Sequence, residues 1–210
     1  MNKSIIYLIL IISIFLISHA NALSIKSEAE RGVIIPQFNE PAKFTLTINA
    51  DETETGDYNI YTLTDVNLRP SSPFSIHYGT NKIDVYVYPT EHLNERGFYS
   101  FSYTLNRIGG ENYEDQLTVN VVDLEDAIEI SSETMSPEQG EINFYIENKK
   151  NTNIENIKAG FSSILFNNIE KEFSLKPFSK TKITIDVDDD EMSKTKAGSY
   201  IITGDFETDK

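Results

Sequence analysis

Five acidic side chains lie close together near the carboxyl-terminal end of the chain, and calcium binding is the chemistry that they could support. The stretch reads TIDVDDDEMSK, and its acidic members are Asp186, Asp188, Asp189, Asp190 and Glu191. Ca²⁺ is a hard cation that takes oxygen ligands, and clustered carboxylates in a loop supply them. The run lacks the glycine-spaced pattern of an EF-hand loop, so a solvated acidic loop between strands is the competing interpretation. Ca²⁺ is the only cofactor that the sequence suggests.

A pair of tyrosines, Tyr86 and Tyr88, gives the second candidate site. They alternate with valines in the stretch VYVY, residues 85–88, and successive side chains of a β-strand point to opposite faces. If the valines point into a core, both tyrosines point outward, where an aromatic patch can bind a carbohydrate or a protein. The alternative is that this face packs against a neighbouring domain. We expect Tyr58 and Tyr61 to lie near the pair.

The other reactive residues favour no catalytic site. His77 and His92, with Glu91 beside the second, offer too few ligands for a tetrahedral metal site. The sequence has no Cys and no Gly-x-Ser-x-Gly turn, and no serine is placed by motif near a histidine. The sequence therefore predicts a protein that is not an enzyme.

The first 22 residues are typical of a secretory signal peptide. Lys3 gives a positive start, residues 5–17 are almost entirely apolar, and Ala20-Asn21-Ala22 is a small-x-small cleavage pattern. The apolar run is shorter than the roughly 20 residues that span a bilayer, so an uncleaved anchor is the less favoured interpretation. We expect a secreted or cell-surface protein whose mature chain has no membrane span.

The charge of the chain excludes one class of partner. The sequence of 210 residues carries 33 acidic and 18 basic side chains, for a net charge of −15. Such a surface repels phosphate backbones, so no nucleic-acid partner is predicted. The absence of Cys in an exported chain also means that burial, and not disulfide bonds, must stabilise the fold.

The elements that must position these residues are β-strands. Short alternating segments, separated by turn residues, follow one another from Leu23 onward, and no helix is predicted. The chain has 11 Tyr, 12 Phe and many β-branched residues, which also favours strands. The sequence therefore predicts an all-β fold made of β-sandwiches.

The two halves of the chain repeat one pattern. The apolar residues of 44–48 recur at 142–146, and those of 83–87 recur at 183–187. A period of about 100 residues is the size of an immunoglobulin-like sandwich. We predict two tandem immunoglobulin-like β-sandwich domains, at residues 23–124 and 125–210, joined by a short, stiff linker.

A Gly-x-Tyr motif opens the sixth strand of each predicted domain, at Gly97 and Tyr99 and again at Gly198 and Tyr200. We expect both rings to face the core and both hydroxyls to bond to nearby backbone, as in a tyrosine corner. After the first motif a further strand follows, whereas the second domain lacks this last strand. Three explanations stay open: a longer reading frame, a sandwich closed by six strands, or a strand donated by another chain.

Several motifs of the second half carry a resemblance. They are the Asn-rich turn at residues 148–156, the Lys-Pro-Phe-Ser-Lys turn at 176–180 and Ala-Gly-Ser-Tyr at 197–200. In these motifs the chain resembles the CARDB and NEW3-type immunoglobulin-like modules of exported archaeal and bacterial proteins. The resemblance implies a non-catalytic structural or interaction module at the cell surface. The alternative is an adhesion domain that binds carbohydrate or protein through the Tyr86 and Tyr88 face. The partners implied are other cell-surface proteins or polysaccharide.

Overall fold

The fold is built almost entirely of β-strands, as the sequence predicts. A computed structural model describes residues 23–93, 96–134, 140–187 and 198–208. The strands are β1 (Ser24–Arg31), β2 (Val33–Ile34), β3 (Ala42–Ala50), β4 (Gly56–Tyr61), β5 (Val66–Arg69), β6 (Phe74–Ile76), β7 (Gly79–Pro89), β8 (Gly97–Arg107), β9 (Asn112–Val121), β10 (Ile128–Ser132), β11 (Glu141–Asn148), β12 (Ile154–Ser163), β13 (Phe166–Leu175), β14 (Lys180–Asp186) and β15 (Ile202–Thr208).

Within the part of the chain that the structure describes, three short helical turns lie between the strands. Two are 3-10 turns, Pro36–Phe38 and Glu52–Glu54, and one is a single α-helical turn, α1 (Leu124–Ala127). The sequence predicted no helix, so α1 is a correction. Its first turn carries Glu125 and Asp126, and negative side chains stabilise a helix at this end. Within the described ranges, no helix has the length and apolar composition needed to cross a bilayer.

The N-terminal half forms two sheets around a shared core. One sheet has the order β1-β3-β7-β5 and the other the order β2-β9-β8-β4-β6. Pairing is antiparallel except between β2 and β9, which run parallel. Alternate side chains of the facing strands are buried between the sheets, because successive side chains of a strand point to opposite faces. This N-terminal core includes Phe44, Leu46, Ile48, Val85, Val87, Phe101, Tyr103 and Leu105.

The C-terminal half forms two three-stranded sheets. Their orders are β10-β11-β14 and β13-β12-β15. Their C-terminal core includes Ile142, Phe144, Ile146, Ile157, Ala159, Phe161, Ile183 and Ile185. Among the residues described, β15 pairs with β12 alone and therefore lies at the edge of its sheet.

The repeated sequence pattern corresponds to repeated strand pairing. Leu46 of β3 pairs with Ile83 of β7, and at the matching positions of the repeat Phe144 of β11 pairs with Ile183 of β14. The two halves therefore use the same apolar residues for the same antiparallel contact. The boundary between two immunoglobulin-like domains at residue 124 stays a prediction.

The Gly-x-Tyr motifs face as expected, but in the N-terminal motif the predicted hydroxyl bond belongs to another residue. The ring of Tyr99 packs against the N-terminal core and stacks on Phe101, with 6.0 Å between ring centroids, and Tyr200 packs against the C-terminal core. The hydroxyl that donates to nearby backbone in the N-terminal half is that of Tyr58, 2.6 Å from the Glu54 carbonyl oxygen. The reason is that the turn Glu52–Glu54 ends just before β4 and brings the Glu54 carbonyl within reach of the buried Tyr58 hydroxyl.

A segment of the N-terminal half enters the C-terminal core. Ile35 and Phe38, which flank and end the 3-10 turn Pro36–Phe38, are 0% and 1% exposed and pack with the C-terminal apolar residues. Pro36 favours the start of this turn because its φ is already fixed near the helical value, and Asn39 ends the turn with a positive φ of 48°. The C-terminal core is therefore completed by residues more than 80 positions earlier in the chain.

Candidate binding groove

Strand β7 presents both predicted tyrosines on the outer face of the four-stranded sheet. Val85 and Val87 are fully buried, while Tyr86 and Tyr88 between and after them are partly buried. The prediction that these rings point away from the core is therefore confirmed. Tyr86 lies opposite Lys43 of β3 and Arg69 of β5, so it stands in the middle of the sheet.

The two tyrosines line a groove between the N-terminal sheet and loops of the C-terminal half. The groove has a volume of about 630 Å³, which lies within the range typical of ligand sites. We call it the tyrosine groove, and it is lined by Glu30, Arg31, Glu40, Pro41, Lys43, Tyr86, Tyr88, Asn151, Asn153, Glu155 and Pro177. Residues of the C-terminal half form one wall of the groove. The alternative prediction, in which this face packs against a neighbouring domain, therefore holds in part.

One buried asparagine holds the C-terminal wall in place. Asn148 is 0% exposed, and its side-chain amide donates to the carbonyl oxygens of Thr152 at 2.7 Å and Lys176 at 3.0 Å. Its side-chain oxygen accepts from the backbone N–H of Lys150 at 2.9 Å. These bonds tie the Asn-rich turn to the turn that contains Pro177, so both turns reach the groove together.

A direct hydrogen bond crosses between the two walls. The Asn151 side-chain amide donates to the backbone oxygen of Glu30 in β1 at 3.4 Å. This bond ties the Asn-rich turn to β1, and both residues line the groove. A smaller depression of about 410 Å³ adjoins the groove and shares Asn153, Glu155 and Pro177 with it.

The charged side chains of the N-terminal wall occur in pairs of opposite sign. The Lys43 ammonium lies 2.5 Å from a Glu30 carboxylate oxygen and 3.1 Å from one of Asp84. Arg31 lies 3.7 Å from the buried carboxylate of Glu40. The hydrogen bond to Glu30, followed by that to Asp84, raises the pKa of Lys43, so the ammonium stays charged. The same ammonium lies 5.9 Å from the centre of the Tyr86 ring, within reach of a cation–π contact.

The predicted calcium residues fall largely outside the described part of the chain. Asp188, Asp189, Asp190 and Glu191 lie outside it, and Asp186 is exposed at the end of β14. Among the described residues, no cluster of three or more His, Cys, Asp or Glu side chains could hold a metal ion. Calcium binding by this loop stays a prediction.

The expectation that Tyr58 and Tyr61 lie near the groove is wrong. Both belong to β4, which is in the five-stranded sheet on the other side of the N-terminal core. Tyr58 is fully buried, and Tyr61 is 41% exposed on that sheet. They sit on the opposite sheet because β4 pairs with β6 and β8 and not with β7.

Sequence reasoning found the aromatic wall but missed the polar one. The residues missed include Lys43, Asn151, Asn153 and Pro177. The last three lie in the two turns, residues 148–156 and 176–180, on which the resemblance rests. The sequence shows these motifs but does not predict that they lie beside β7.

Comparisons with known proteins do not place the chain in a family. No family model matches the sequence, and no curated protein matches it. Similar solved structures include a protein of unknown function from Porphyromonas gingivalis W83, with 13% identity over 81% of this chain and 86% of that one and a TM-score of 0.31. The YadV chaperone has 8% identity over 75% of this chain and 83% of its own, with a TM-score of 0.29. Red sea bream transglutaminase has 11% identity over 90% of this chain and 29% of its own, with a TM-score of 0.33. Similarities of this size assign no function.

Proposed function

We propose that the protein is a non-catalytic structural and interaction module, secreted or held at the cell surface, built of two immunoglobulin-like sandwiches. The observation that carries the proposal is the burial of Ile35 and Phe38 in the C-terminal core. A spacer must hold its ends at a fixed separation, and a shared core resists bending better than a flexible linker does. The resemblance to CARDB and NEW3-type modules supports the same role.

The proposed location rests on the leader-like residues 1–22. The test is to express the chain with a carboxyl-terminal epitope tag and to add protease to intact cells. We expect the medium or the protease-accessible cell surface to contain the tagged protein. A matched variant that lacks residues 2–22 stays inside and protected. Equal protection of both forms would contradict the proposal.

A second function, recognition of a carbohydrate or a protein, is favoured by the tyrosine groove. Tyr86 and Tyr88 stand in a groove with several polar side chains, and convergent polar groups around an apolar surface are typical of ligand sites. The proposed partners are polysaccharide or other cell-surface proteins. The outer edge of β15 is a further place where a strand from another chain could pair.

A further inference from the structure

The charge pattern of the tyrosine groove indicates the kind of ligand it takes. Each cation of its N-terminal wall already faces a carboxylate, Lys43 beside Glu30 and Arg31 beside Glu40. A phosphate, a sulfate or a uronate would therefore meet no uncompensated positive charge, and charge-assisted bonds supply most of the affinity for such anions. Glu155 on the opposite wall adds a negative charge. Within the groove itself the paired charges therefore disfavour anions, and Lys176 lines only the adjoining depression.

The main chain at the groove floor is not available to a bound peptide strand. Tyr86 pairs with Lys43 on one side and with Arg69 on the other, so β7 is an interior strand at this position. Strand addition requires a free sheet edge, because main-chain hydrogen bonds supply its affinity. Recognition at the two tyrosines must therefore use side chains, whereas β1, which contributes Glu30 and Arg31 to the groove, is an edge strand.

The side chains available for binding combine two flat apolar rings with polar groups that have no hydrogen-bond partner among the described residues. Tyr86 and Tyr88 share one face and lie about 7 Å apart along the strand. Among the described residues, neither phenol hydroxyl has a hydrogen-bond partner, and the partly buried side-chain amide of Asn153 has none either. An amide supplies two donors and an acceptor, and a phenol supplies one donor and an acceptor. This set matches a molecule that has C–H-lined faces and many hydroxyl groups.

We infer that the tyrosine groove binds a neutral saccharide, with the rings of Tyr86 and Tyr88 as its platform and Asn153 and Glu155 as its hydrogen-bonding rim. The inference deepens the second function proposed above and rests on it. The groove of about 630 Å³ adjoins the depression of about 410 Å³, so the two together accommodate a linear chain of several sugar rings. A neutral sugar can hydrogen-bond to the paired charged groups without breaking the ion pairs.

The test is calorimetric titration of the full chain with four neutral sugars, cellohexaose, maltohexaose, mannohexaose and N-acetylchitohexaose, and with polygalacturonate as the anionic comparison. We expect at least one of the four to bind saturably. The variant Tyr86→Thr/Tyr88→Thr keeps residues that favour strands but removes both rings, and its affinity falls about tenfold or more. The variant Tyr86→Phe/Tyr88→Phe keeps the platform and stays within about threefold of the unaltered chain. Tyr78→Thr, at a tyrosine that is 72% exposed and outside the groove, is the matched control and leaves the affinity unchanged.

Three results would overturn the inference. They are no binding of any neutral hexasaccharide, equal binding by the unaltered chain and the double Thr variant, or binding of polygalacturonate alone. Thermal melting of each variant separates loss of the site from loss of the fold. A negative result would not contradict the structural role. That role is tested separately, by protease treatment of intact cells and by the coupling between the two halves.

Discussion

The hydroxyl of Thr208, in the last strand described, donates to the carbonyl oxygen of Phe38, 170 positions earlier, over 3.3 Å. The bond joins the edge strand β15 to the 3-10 turn that enters the C-terminal core. In the N-terminal half, β9 pairs along the corresponding strand β8. In the C-terminal half, the 3-10 turn Pro36–Phe38 of the N-terminal half contacts β15, the strand that corresponds to β8. The two halves therefore stabilise each other.

Replacing Thr208 by Val tests this bond without changing the shape of the side chain. We expect the free energy of unfolding to fall by about 1 kcal/mol, the usual contribution of one hydrogen bond. Thr203→Val, at an exposed position of the same strand, is the control and changes it by less than about 0.5 kcal/mol. Urea denaturation followed by circular dichroism measures both values. Equal effects of the two substitutions would mean that the bond contributes nothing.

Replacing Asn148 by Ala removes the buried amide that ties the two motif turns together. The Thr152 carbonyl oxygen and the Lys150 N–H lose their partner, whereas the Lys176 carbonyl keeps two donors from Ser179. A buried polar group without a partner costs about 1–3 kcal/mol. We expect a loss of stability of about 3 kcal/mol in urea denaturation. Asn167→Ala, at an exposed position of β13, serves as control and is close to neutral. A neutral Asn148→Ala would contradict the role given to this residue.

Thr152 offers the opposite test, because its hydroxyl is itself unsatisfied. The residue is 0% exposed, and its Oγ1 has no hydrogen-bond partner within the ranges described. Val has the same shape without the hydroxyl, so Thr152→Val removes an unpaired polar group and is expected to stabilise the protein by about 1 kcal/mol. The exposed control is Thr203→Val. A destabilised Thr152→Val protein would show that the hydroxyl has a partner in solution.

Alkaline pH should destabilise the N-terminal half. Burial, and then the nearby carboxylate of Glu54, raises the pKa of Tyr113 to about 12, and burial also raises the pKa of Tyr58 and Tyr103. An unfolded tyrosine has its ordinary pKa of about 10. Above this pH the unfolded state loses protons that the folded state keeps. The stability present below pH 10 is therefore lost as the pH rises toward about 12.

The measurement is the free energy of unfolding in urea at a series of pH values between about 10 and 12. Tyr113→Phe removes one of these phenols. The slope of the unfolding free energy against pH then becomes shallower by up to the contribution of one bound proton. Tyr78→Phe, at an exposed tyrosine, keeps the slope of the unaltered chain. A Tyr113→Phe slope equal to that of the control would exclude the burial effect.

Local patterning predicted most strands, because alternation is encoded by neighbouring residues. The repeat made Leu46 equivalent to Phe144 and Ile83 equivalent to Ile183, whereas the pairing of Leu46 with Ile83 and of Phe144 with Ile183 is seen only in the structure. Strand β5 has only four residues, Val66–Arg69, and so short a segment does not predict a strand from alternation alone. Its strand conformation depends on pairing with the edge of β7, which only the folded structure provides.

Contacts between distant segments could not be predicted in the same way. The outward direction of Tyr86 followed from the buried valines, but the approach of Asn151 and Pro177 depends on how the two halves pack. Phe38 lies between β2 and β3 in the chain. Its burial in the C-terminal core has no local signal, because the partner residues are more than 80 positions away.

Hydrogen exchange of a Phe38→Ala variant tests the shared core most directly. A buried Phe→Ala change costs about 3–5 kcal/mol, and we expect this loss to appear as faster exchange of amides in β12 and β15, while β8 and β9 keep their protection. Phe98→Ala, at a side chain that is 85% exposed, is the control and leaves both regions unchanged. Unchanged protection of β12 and β15 in Phe38→Ala would contradict the claim that the N-terminal turn completes the C-terminal core.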